Sequence, residues 1–242
     1  EREKELLEIA DGRINILGPN CMGIYYPKNG MTFNPNTSSE MGTVAFVAQS
    51  GGHAINFALR GNVEGIRFSK VISYGNGCMF DSTDFVEYLI DDPETAIIGL
   101  YVEGVRDGRR FFEVLKRASA KKPVMLWKGG QTEEGAKAAI SHTGSFAGDI
   151  AVWNALMKQC GCVKVDTIEE LIETTLAFLS PTPNGRKTGL LSVSGGRGVV
   201  FTDIVSKSVL EIPSFSERTK NRLKKRIFPV GSSIENPLDS SA

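Results

Sequence analysis

The chain lacks any excess of charge and any long apolar run. Over 242 residues, 28 Lys and Arg balance 28 Asp and Glu, so the formal net charge at pH 7 is zero. A neutral chain sets up no field that would attract nucleic acid or an anionic membrane surface. Without a run of about 18 apolar residues, no transmembrane helix is expected. We therefore expect no nucleic-acid partner, no membrane and a cytoplasmic location.

Cysteine and histidine are scarce. The four cysteines are Cys21, Cys78, Cys160 and Cys162, and they show neither a zinc-ligand spacing nor a dense disulfide framework. We expect reduced, mostly buried thiols and no metal site. The two histidines, His53 and His142, both lie in glycine-containing turns or loops.

Short apolar segments alternate with helical patterns along most of the chain. Continuous runs rich in Val and Ile are typical of strands that are buried on both faces. The pattern predicts an α/β fold with an open parallel, flavodoxin-like sheet and helices on both faces. The predicted strands are 43–48, 69–74, 96–102, 123–127 and 162–165, the helices are 53–61, 81–91, 107–119, 150–160 and 167–179, and the helix caps are Asp81 or Ser82, Asp149 and Thr167.

The flanking segments predict further domains. We expect residues 1–20 to be the end of a preceding domain, with a strand at Ile14–Leu17, and 21–42 to be a connecting segment. After a Pro-rich linker at 181–185, a strand at 188–193 and helices at 198–209 and 216–226 begin a second, similar domain. One strand and two helices cannot cover both faces of a parallel sheet. The chain is therefore expected to be a piece of a larger protein.

Two Ser-Gly-Gly turns recur between an apolar strand and a helix. Ser50-Gly51-Gly52 and Ser194-Gly195-Gly196 are each followed by a first helical turn without acidic residues. The unpaired N–H groups and the positive dipole end of a helix suit a phosphate. Neither turn matches G-x-G-x-x-G, the dinucleotide fingerprint. The glycines could serve only tight packing, but their recurrence favours two anion sites.

His142 lies in a long stretch of small residues that follows a predicted strand. A neutral imidazole can attack a phosphoryl group, and a carboxylate on its other nitrogen would stabilise the resulting cation. Glu103 is the best candidate, since it ends a predicted strand at the carboxyl edge of the sheet. The alternatives are a surface histidine without a role and a solvated or capping acid. His53 could approach an anion, but we interpret it as an ordinary helix N-terminal residue.

Six motifs follow one another along the chain. They are Gly18-Pro19-Asn20-Cys21-Met22-Gly23, Ser50-Gly51-Gly52, Tyr101-Val102-Glu103-Gly104, Ser141-His142-Thr143-Gly144-Ser145, Ser194-Gly195-Gly196-Arg197-Gly198 and Asn236-Pro237-Leu238-Asp239. With these motifs in this order, the sequence resembles the NDP-forming (ADP-forming) acyl-CoA synthetases, which are relatives of succinyl-CoA synthetase, over nearly its whole length.

The resemblance implies a reversible ligase reaction in which acid, CoA and ATP give acyl-CoA, ADP and phosphate. It implies an acyl phosphate, a phosphohistidine at His142 and an orienting Glu103. Phosphate would be held at Ser50, Gly51 and Gly52 and, in the counterpart domain, at Ser194, Gly195 and Gly196. CoA and ATP or ADP with Mg²⁺ would be substrates, with no tightly bound cofactor.

The resemblance also assigns the domains and the missing partners. Residues 1–20 would be the remnant of a CoA-binding domain, 21–180 a flavodoxin-like ligase domain with the phosphohistidine loop, and 186–242 part of a second one. A complete CoA-binding domain and an ATP-grasp domain would be supplied elsewhere, in a larger and oligomeric enzyme. We do not expect full turnover from this chain alone.

The sequence also permits three other interpretations. A regulatory, ligand-sensing relative of these synthetases is the first, and the presence of both His142 and Glu103 counts against it. A flavodoxin-like nucleotide or flavin binder is the second, but a fold alone does not decide function. A structural assembly module is the third.

Overall fold

The structure of the protein is a computed structural model that describes residues 2–135, 149–181, 183–227 and 230–240. It divides into two compact units, Glu1–Pro181 and Thr182–Ala242. Residues 1–20 belong to the first unit, and their origin as the end of a CoA-binding domain remains a prediction.

The first unit alternates strands and helices. It also contains a short 3₁₀ turn at Pro27–Asn29. The elements are α1 Arg2–Ala10, β1 Gly23–Tyr25, β2 Met41–Ala48, α2 Gly51–Val63, β3 Phe68–Ser73, α3 Ser82–Asp91, β4 Ile97–Val102, α4 Gly108–Lys121, β5 Val124–Lys128, α5 Ile150–Cys160, β6 Val163–Val165 and α6 Ile168–Leu179.

The sheet of the first unit has the strand order β1-β3-β2-β4-β5-β6. Strands β2 to β6 are parallel, as predicted, and their order is that of flavodoxin-like folds. Strand β1 runs antiparallel to β3 at the edge, so the sheet is mostly and not wholly parallel. The fold class is confirmed with this one correction.

Helices cover both faces of the sheet. Helices α3, α4 and α5 pack on one face, where Leu89, Phe111 and Trp153 join the buried strand residues. Helices α2 and α6 pack on the other face through Phe57, Leu171 and their neighbours. Because both faces are buried, the central strands carry apolar side chains at nearly every position.

The predicted helix caps are in place. Asp81 accepts a hydrogen bond from the backbone N–H of Thr83, Asp149 from that of Ala151, and Thr167 from that of Glu170. Of the two residues proposed for the start of α3, Asp81 is the cap. These side chains replace intrahelical acceptors that the first turn lacks.

Two predictions near the start of the chain are wrong. Residues Ile14–Leu17 form no strand, because Asp11 and Gly12 turn the chain with positive φ angles and Ile14 is left exposed. Conversely, β1 lies inside the segment predicted to be only a connection. Three residues between turns are too few to show a strand period.

The second unit is small and contains two pairs of elements. Strands β7, Leu191–Ser192, and β8, Leu238–Asp239, are parallel, and helices α7 and α8 span Gly195–Ser206 and Glu217–Leu223. The strand is shorter than predicted, and α7 begins three residues before the predicted 198. Helix α7 exposes Val199, Val200, Phe201 and Ile204 to solvent. Within this unit the described residues therefore bury little apolar surface.

Among the described residues, no helix combines the length and the apolarity that are needed to cross a membrane.

Candidate functional site

The candidate site lies at the carboxyl ends of β2 and β4. These two strands are neighbours, although α2 carries the chain from β2 to β3 on the other side. Such a switch in strand order opens a crevice at the carboxyl edge of an open α/β sheet, where ligands bind. Ser50 follows β2 and Glu103 follows β4, so the fold brings these two predicted residues to the same crevice.

Helix α2 presents a free N-terminus at this crevice. Ser50 is its cap, and the Ser50 Oγ accepts from the N–H of His53 at 3.3 Å. The first turn contains no acidic side chain. Gly51 and Gly52 lie in that turn, and a Cβ on Gly51 would come 3.4 Å from the backbone nitrogen of Met22. The glycines therefore permit close backbone packing and leave the helix start open to an anion.

Glu103 is buried, with 6% of its surface exposed. Its Oε1 accepts a hydrogen bond from the Tyr101 hydroxyl at 3.2 Å. Its Oε2 has no hydrogen-bond partner among the described residues. A buried carboxylate oxygen without a donor is unfavourable, so this atom is suited to an N–H that comes from elsewhere.

The side chain of Gln49 holds the backbone at Glu103. The Gln49 Oε1 accepts from the N–H of Glu103 at 2.8 Å and from that of Gly104 at 3.2 Å. The Tyr74 hydroxyl donates to the same oxygen at 3.3 Å. Gln49 is itself buried, which strengthens these contacts.

His53 stands in the first turn of α2, beside two aromatic rings. Its ring centroid lies 4.3 Å from that of Tyr101 and 4.5 Å from that of Trp127. Burial lowers the pKa of His53, and the charge of Glu103 opposes this effect only in part. The imidazole therefore favours its neutral form near pH 7.

Lys128 brings a buried cation to the end of β5. Its ammonium donates to the carbonyl of Gly129 and lies 5.3 Å from the centre of the Trp153 ring. The pKa of Lys128 is lowered, because the effect of burial exceeds the opposing effect of the Glu103 charge. Lys128 and Glu103 thus place groups of opposite charge at the ends of neighbouring strands.

A wall of the crevice is built from two turns that pack closely. The N–H of Asn76 donates to Pro19 at 3.0 Å, and that of Cys78 donates to Gly18 at 2.8 Å. A Cβ on Gly75 would lie 2.1 Å from the carbonyl oxygen of Asn20, so a side chain there would collide with the backbone. The loop after β3 is thus fixed against the motif at 18–23.

His142 and its motif Ser141–Ser145 lie outside the described residues. The site geometry therefore contains the predicted orienting acid and the first phosphate cradle, without the predicted nucleophile. Sequence reasoning assigned no role to Gln49, Tyr101 or Lys128. A usable signal existed, because Gln49 and Lys128 are polar residues directly at the ends of buried apolar strands.

The second Ser-Gly-Gly turn starts α7 in the other unit. Ser194 is the cap residue, but its side chain makes no capping hydrogen bond. A Cβ on Gly195 would meet the Asp239 Oδ2 at 3.1 Å. A carboxylate thus lies against this helix start.

In the part of the chain that the structure describes, no group of three His, Cys, Asp or Glu side chains forms a metal site.

The fold and crevice define a flavodoxin-like α/β protein in which a helix start without acidic side chains and a buried acid lie at one edge of the sheet. Residues 41–178, more than half of the chain, match the family model described as the succinyl-CoA ligase like flavodoxin domain. The chain belongs to this family.

Relatives and solved structures agree with this assignment. The chain is 39% identical over 99% of its length to the ADP-forming acetate–CoA ligase II subunit alpha of Pyrococcus furiosus, covering 52% of that protein. It is 38% identical over 98% of its length to the ADP-forming acetate–CoA ligase I of Archaeoglobus fulgidus, covering 35% of it. The chain therefore spans about half, or less, of these relatives.

A solved structure shares the fold. It is the dinucleotide forming acetyl-coenzyme A synthetase 1 of Ca. Korarchaeum cryptofilum in complex with phosphate and ADP. The TM-score is 0.78 at 35% identity, over 98% of this chain and 52% of that one.

Proposed function

We propose that the chain is the ligase portion of an ADP-forming acyl-CoA synthetase. The complete enzyme would convert acid, CoA and ATP reversibly into acyl-CoA, ADP and phosphate in the cytoplasm. The observation that carries the proposal is the buried Glu103, whose Oε2 lacks a partner among the described residues, at the crevice where α2 begins. An imidazole N–H donated to that oxygen would complete the site.

The first cradle would hold the phosphoryl group that is transferred. The N–H groups of Gly51 and Gly52 lie in the first turn of α2, where helix geometry provides no intrahelical acceptor, and Ser50 fixes that turn. A phosphate there gains from several N–H donors and from the helix dipole. No acidic side chain within the first turn opposes this attraction.

His142 would carry the phosphoryl group between two partners. A neutral ring nitrogen of His142 attacks the phosphorus of an acyl phosphate, the bond from phosphorus to the acyl oxygen breaks, and the carboxylate leaves. The opposite ring nitrogen keeps its proton and donates a hydrogen bond to Glu103, whose charge stabilises the phosphorylated cation. Attack of ADP on the phosphohistidine then forms ATP, and the reverse sequence runs from ATP.

Other portions of the enzyme would supply CoA and nucleotide binding. Residues 1–20 would end a CoA-binding domain, and an ATP-grasp domain would bring ATP with its Mg²⁺ to His142. Residues 186–242, with Ser194, Gly195 and Gly196 as a second phosphate site, would be part of another flavodoxin-like domain. The exposed apolar side chains of α7 support this, because they suit a face covered by further sheet strands.

Reconstituted turnover tests the proposal. The chain is combined with CoA-binding and ATP-grasp portions of a matching synthetase, and acyl-CoA and ADP are quantified with acetate as the acid. We expect wild-type protein to form both products in equal amounts and His142→Ala to form neither. Binding of acyl-CoA or phosphate without any turnover would instead favour a ligand-sensing module.

A further inference from the structure

Gln49 takes no part in the chemistry described above, yet its side chain is placed to control the acid that does. We propose that Gln49 is a positioning residue that fixes the backbone of Glu103 and Gly104, and thereby aims the Glu103 carboxylate into the crevice. This inference rests on the proposed function and names a further residue of the same site.

The first line of support is the convergence of donors on one atom. The Gln49 Oε1 accepts from the N–H of Glu103, from the N–H of Gly104 and from the Tyr74 hydroxyl, at distances from 2.8 to 3.3 Å. A carbonyl oxygen has two lone pairs, so three donors use its full capacity. An atom bound in this way holds two consecutive peptide groups in one orientation.

The second line of support is what those peptide groups would otherwise lack. Glu103 follows the last residue of β4, where the chain leaves the sheet and ladder partners end. Both Gln49 and Glu103 are buried, so water does not readily replace a lost acceptor. Without the Gln49 oxygen, the two N–H groups would be satisfied only if the turn rearranged.

The third line of support is the confinement of the Glu103 side chain itself. Tyr101 donates to Oε1, and Gly129 lies so close that a Cβ there would come 2.5 Å from the Tyr101 hydroxyl and 3.1 Å from the Glu103 Cγ. The side chain is thus confined between Tyr101 and Gly129, and its backbone is confined by Gln49. Among the described residues, these contacts leave the Glu103 Oε2 without a hydrogen-bond partner.

Two substitutions separate the acceptor from the bulk of the side chain. Gln49→Met keeps a similar length and removes the oxygen acceptor. Gln49→Glu keeps oxygen acceptors at the same place. Gln159→Met, on the exposed surface of α5, is the matched control for the same exchange.

The direct readout is NMR of the two amide groups, which needs no activity. We expect the Glu103 and Gly104 amide proton resonances to move upfield in Gln49→Met, to return toward wild type in Gln49→Glu, and to stay unchanged in Gln159→Met. Resonances that stay in place in Gln49→Met would overturn the proposal, whether or not the protein carries phosphoryl groups.

The functional readout is the rate of phosphohistidine formation from γ-labelled ATP with a matching ATP-grasp partner. We expect the Gln49→Met variant to be labelled roughly tenfold more slowly, since the Glu103 carboxylate would no longer be held in the orientation that the reaction needs. The Gln49→Glu variant should be labelled faster than Gln49→Met, and the Gln159→Met variant should be labelled at the wild-type rate. Wild-type labelling in Gln49→Met would contradict a positioning role. If the wild-type protein stayed unlabelled while the Glu103 and Gly104 amide resonances still moved in Gln49→Met, the proposed function would be refuted. The role of Gln49 in holding the turn would stand.

Discussion

The two Ser-Gly-Gly turns share three residues and a position at the start of a helix, but their surroundings differ. The first follows a strand at the centre of a six-stranded sheet, and its Ser50 caps α2 through the N–H of His53. The second follows a two-residue strand, and Ser194 makes no capping bond. The first turn faces a crevice with a buried acid from another strand, whereas the second has Asp239 directly against its Gly195.

This difference shows that the motif alone does not make a site. A helix start attracts an anion in either place, but the neighbouring strand ends decide which charges meet it. At the first turn, a hydrogen bond from Tyr101 fixes the Glu103 carboxylate, and Gln49 fixes the Glu103 backbone. At the second, the Asp239 carboxylate lies beside Gly195, so we expect it to weaken phosphate binding at this helix start.

The largest effect is expected at the acid of the first turn. Glu103→Gln keeps the shape of the side chain but removes the charge that stabilises a phosphorylated imidazolium. We expect phosphohistidine formation to fall on the order of 100-fold, within the range for loss of a group that assists proton placement. Rapid-quench labelling measures this rate.

Glu173→Gln, on the exposed surface of α6, is the matched control for that exchange. It makes the same change away from both Ser-Gly-Gly turns, and it should leave labelling of His142 within about twofold, on the scale of a weakened surface charge. Equal losses in the two variants would show that the loss does not depend on the place of Glu103 beside the first turn.

The two cap serines should differ in their contribution to folding stability. Ser50→Ala removes the acceptor for the N–H of His53 and should lower the free energy of unfolding of the first unit by about 1 kcal/mol. Ser194→Ala removes no capping bond and should change stability by a few tenths of a kcal/mol at most. Urea unfolding, followed separately for each unit by NMR, gives both values; a larger loss in Ser194→Ala would contradict the assigned caps.

A smaller effect concerns phosphate affinity at the second turn. Asp239→Asn removes the charge nearest to Gly195 and should tighten binding of inorganic phosphate there by roughly two- to fivefold, since a charge near a helix end is worth about 0.3–1 kcal/mol. Chemical-shift titration of the Gly195 and Gly196 amides reports this binding. If affinity does not change, Asp239 does not compete for the helix start.

The smallest effect is a pH dependence that only the first turn should show. Because burial lowers the pKa of His53 below its unfolded value, the unfolded chain binds the proton more readily. The stability of the first unit should therefore fall slightly as pH decreases from 7.5 through the unfolded pKa of about 6.5. Replacing His53 with Gln should flatten that slope, as measured by urea unfolding at several pH values; an unchanged slope would assign it to other groups.

Much of the fold was predictable from the sequence because its signals were local. Strands buried on both faces give continuous apolar runs, and Asp149 or Thr167 mark helix starts without tertiary information. Strand β1 was not predictable, since three residues gain their conformation only by pairing with β3. Helices α2 and α7 begin earlier than predicted because glycine is a poor helix former, while the cap residue sets the actual start.

The candidate site was predictable only in part for the same reason. Ser50 and Glu103 stand at strand ends, so parallel topology alone places them at one edge of the sheet. The roles of Gln49 and Tyr101 depend on side chains that meet across strands, which no sequence period reveals. The catalytic roles of Glu103 and His142 remain predictions. So do the phosphate-binding roles of the two turns, Ser50, Gly51 and Gly52 and Ser194, Gly195 and Gly196.

The central claim is that this chain carries a phosphoryl group on one histidine, and covalent labelling tests it most directly. The chain is incubated with a matching ATP-grasp partner and γ-labelled ATP, and the protein-bound label is tested for acid lability and alkali stability. We predict an acid-labile, alkali-stable label that His142→Ala abolishes and that His53→Gln, the change at the other histidine, retains. A wild-type chain that stays unlabelled while it binds phosphate, or a label that survives in His142→Ala, would contradict the account.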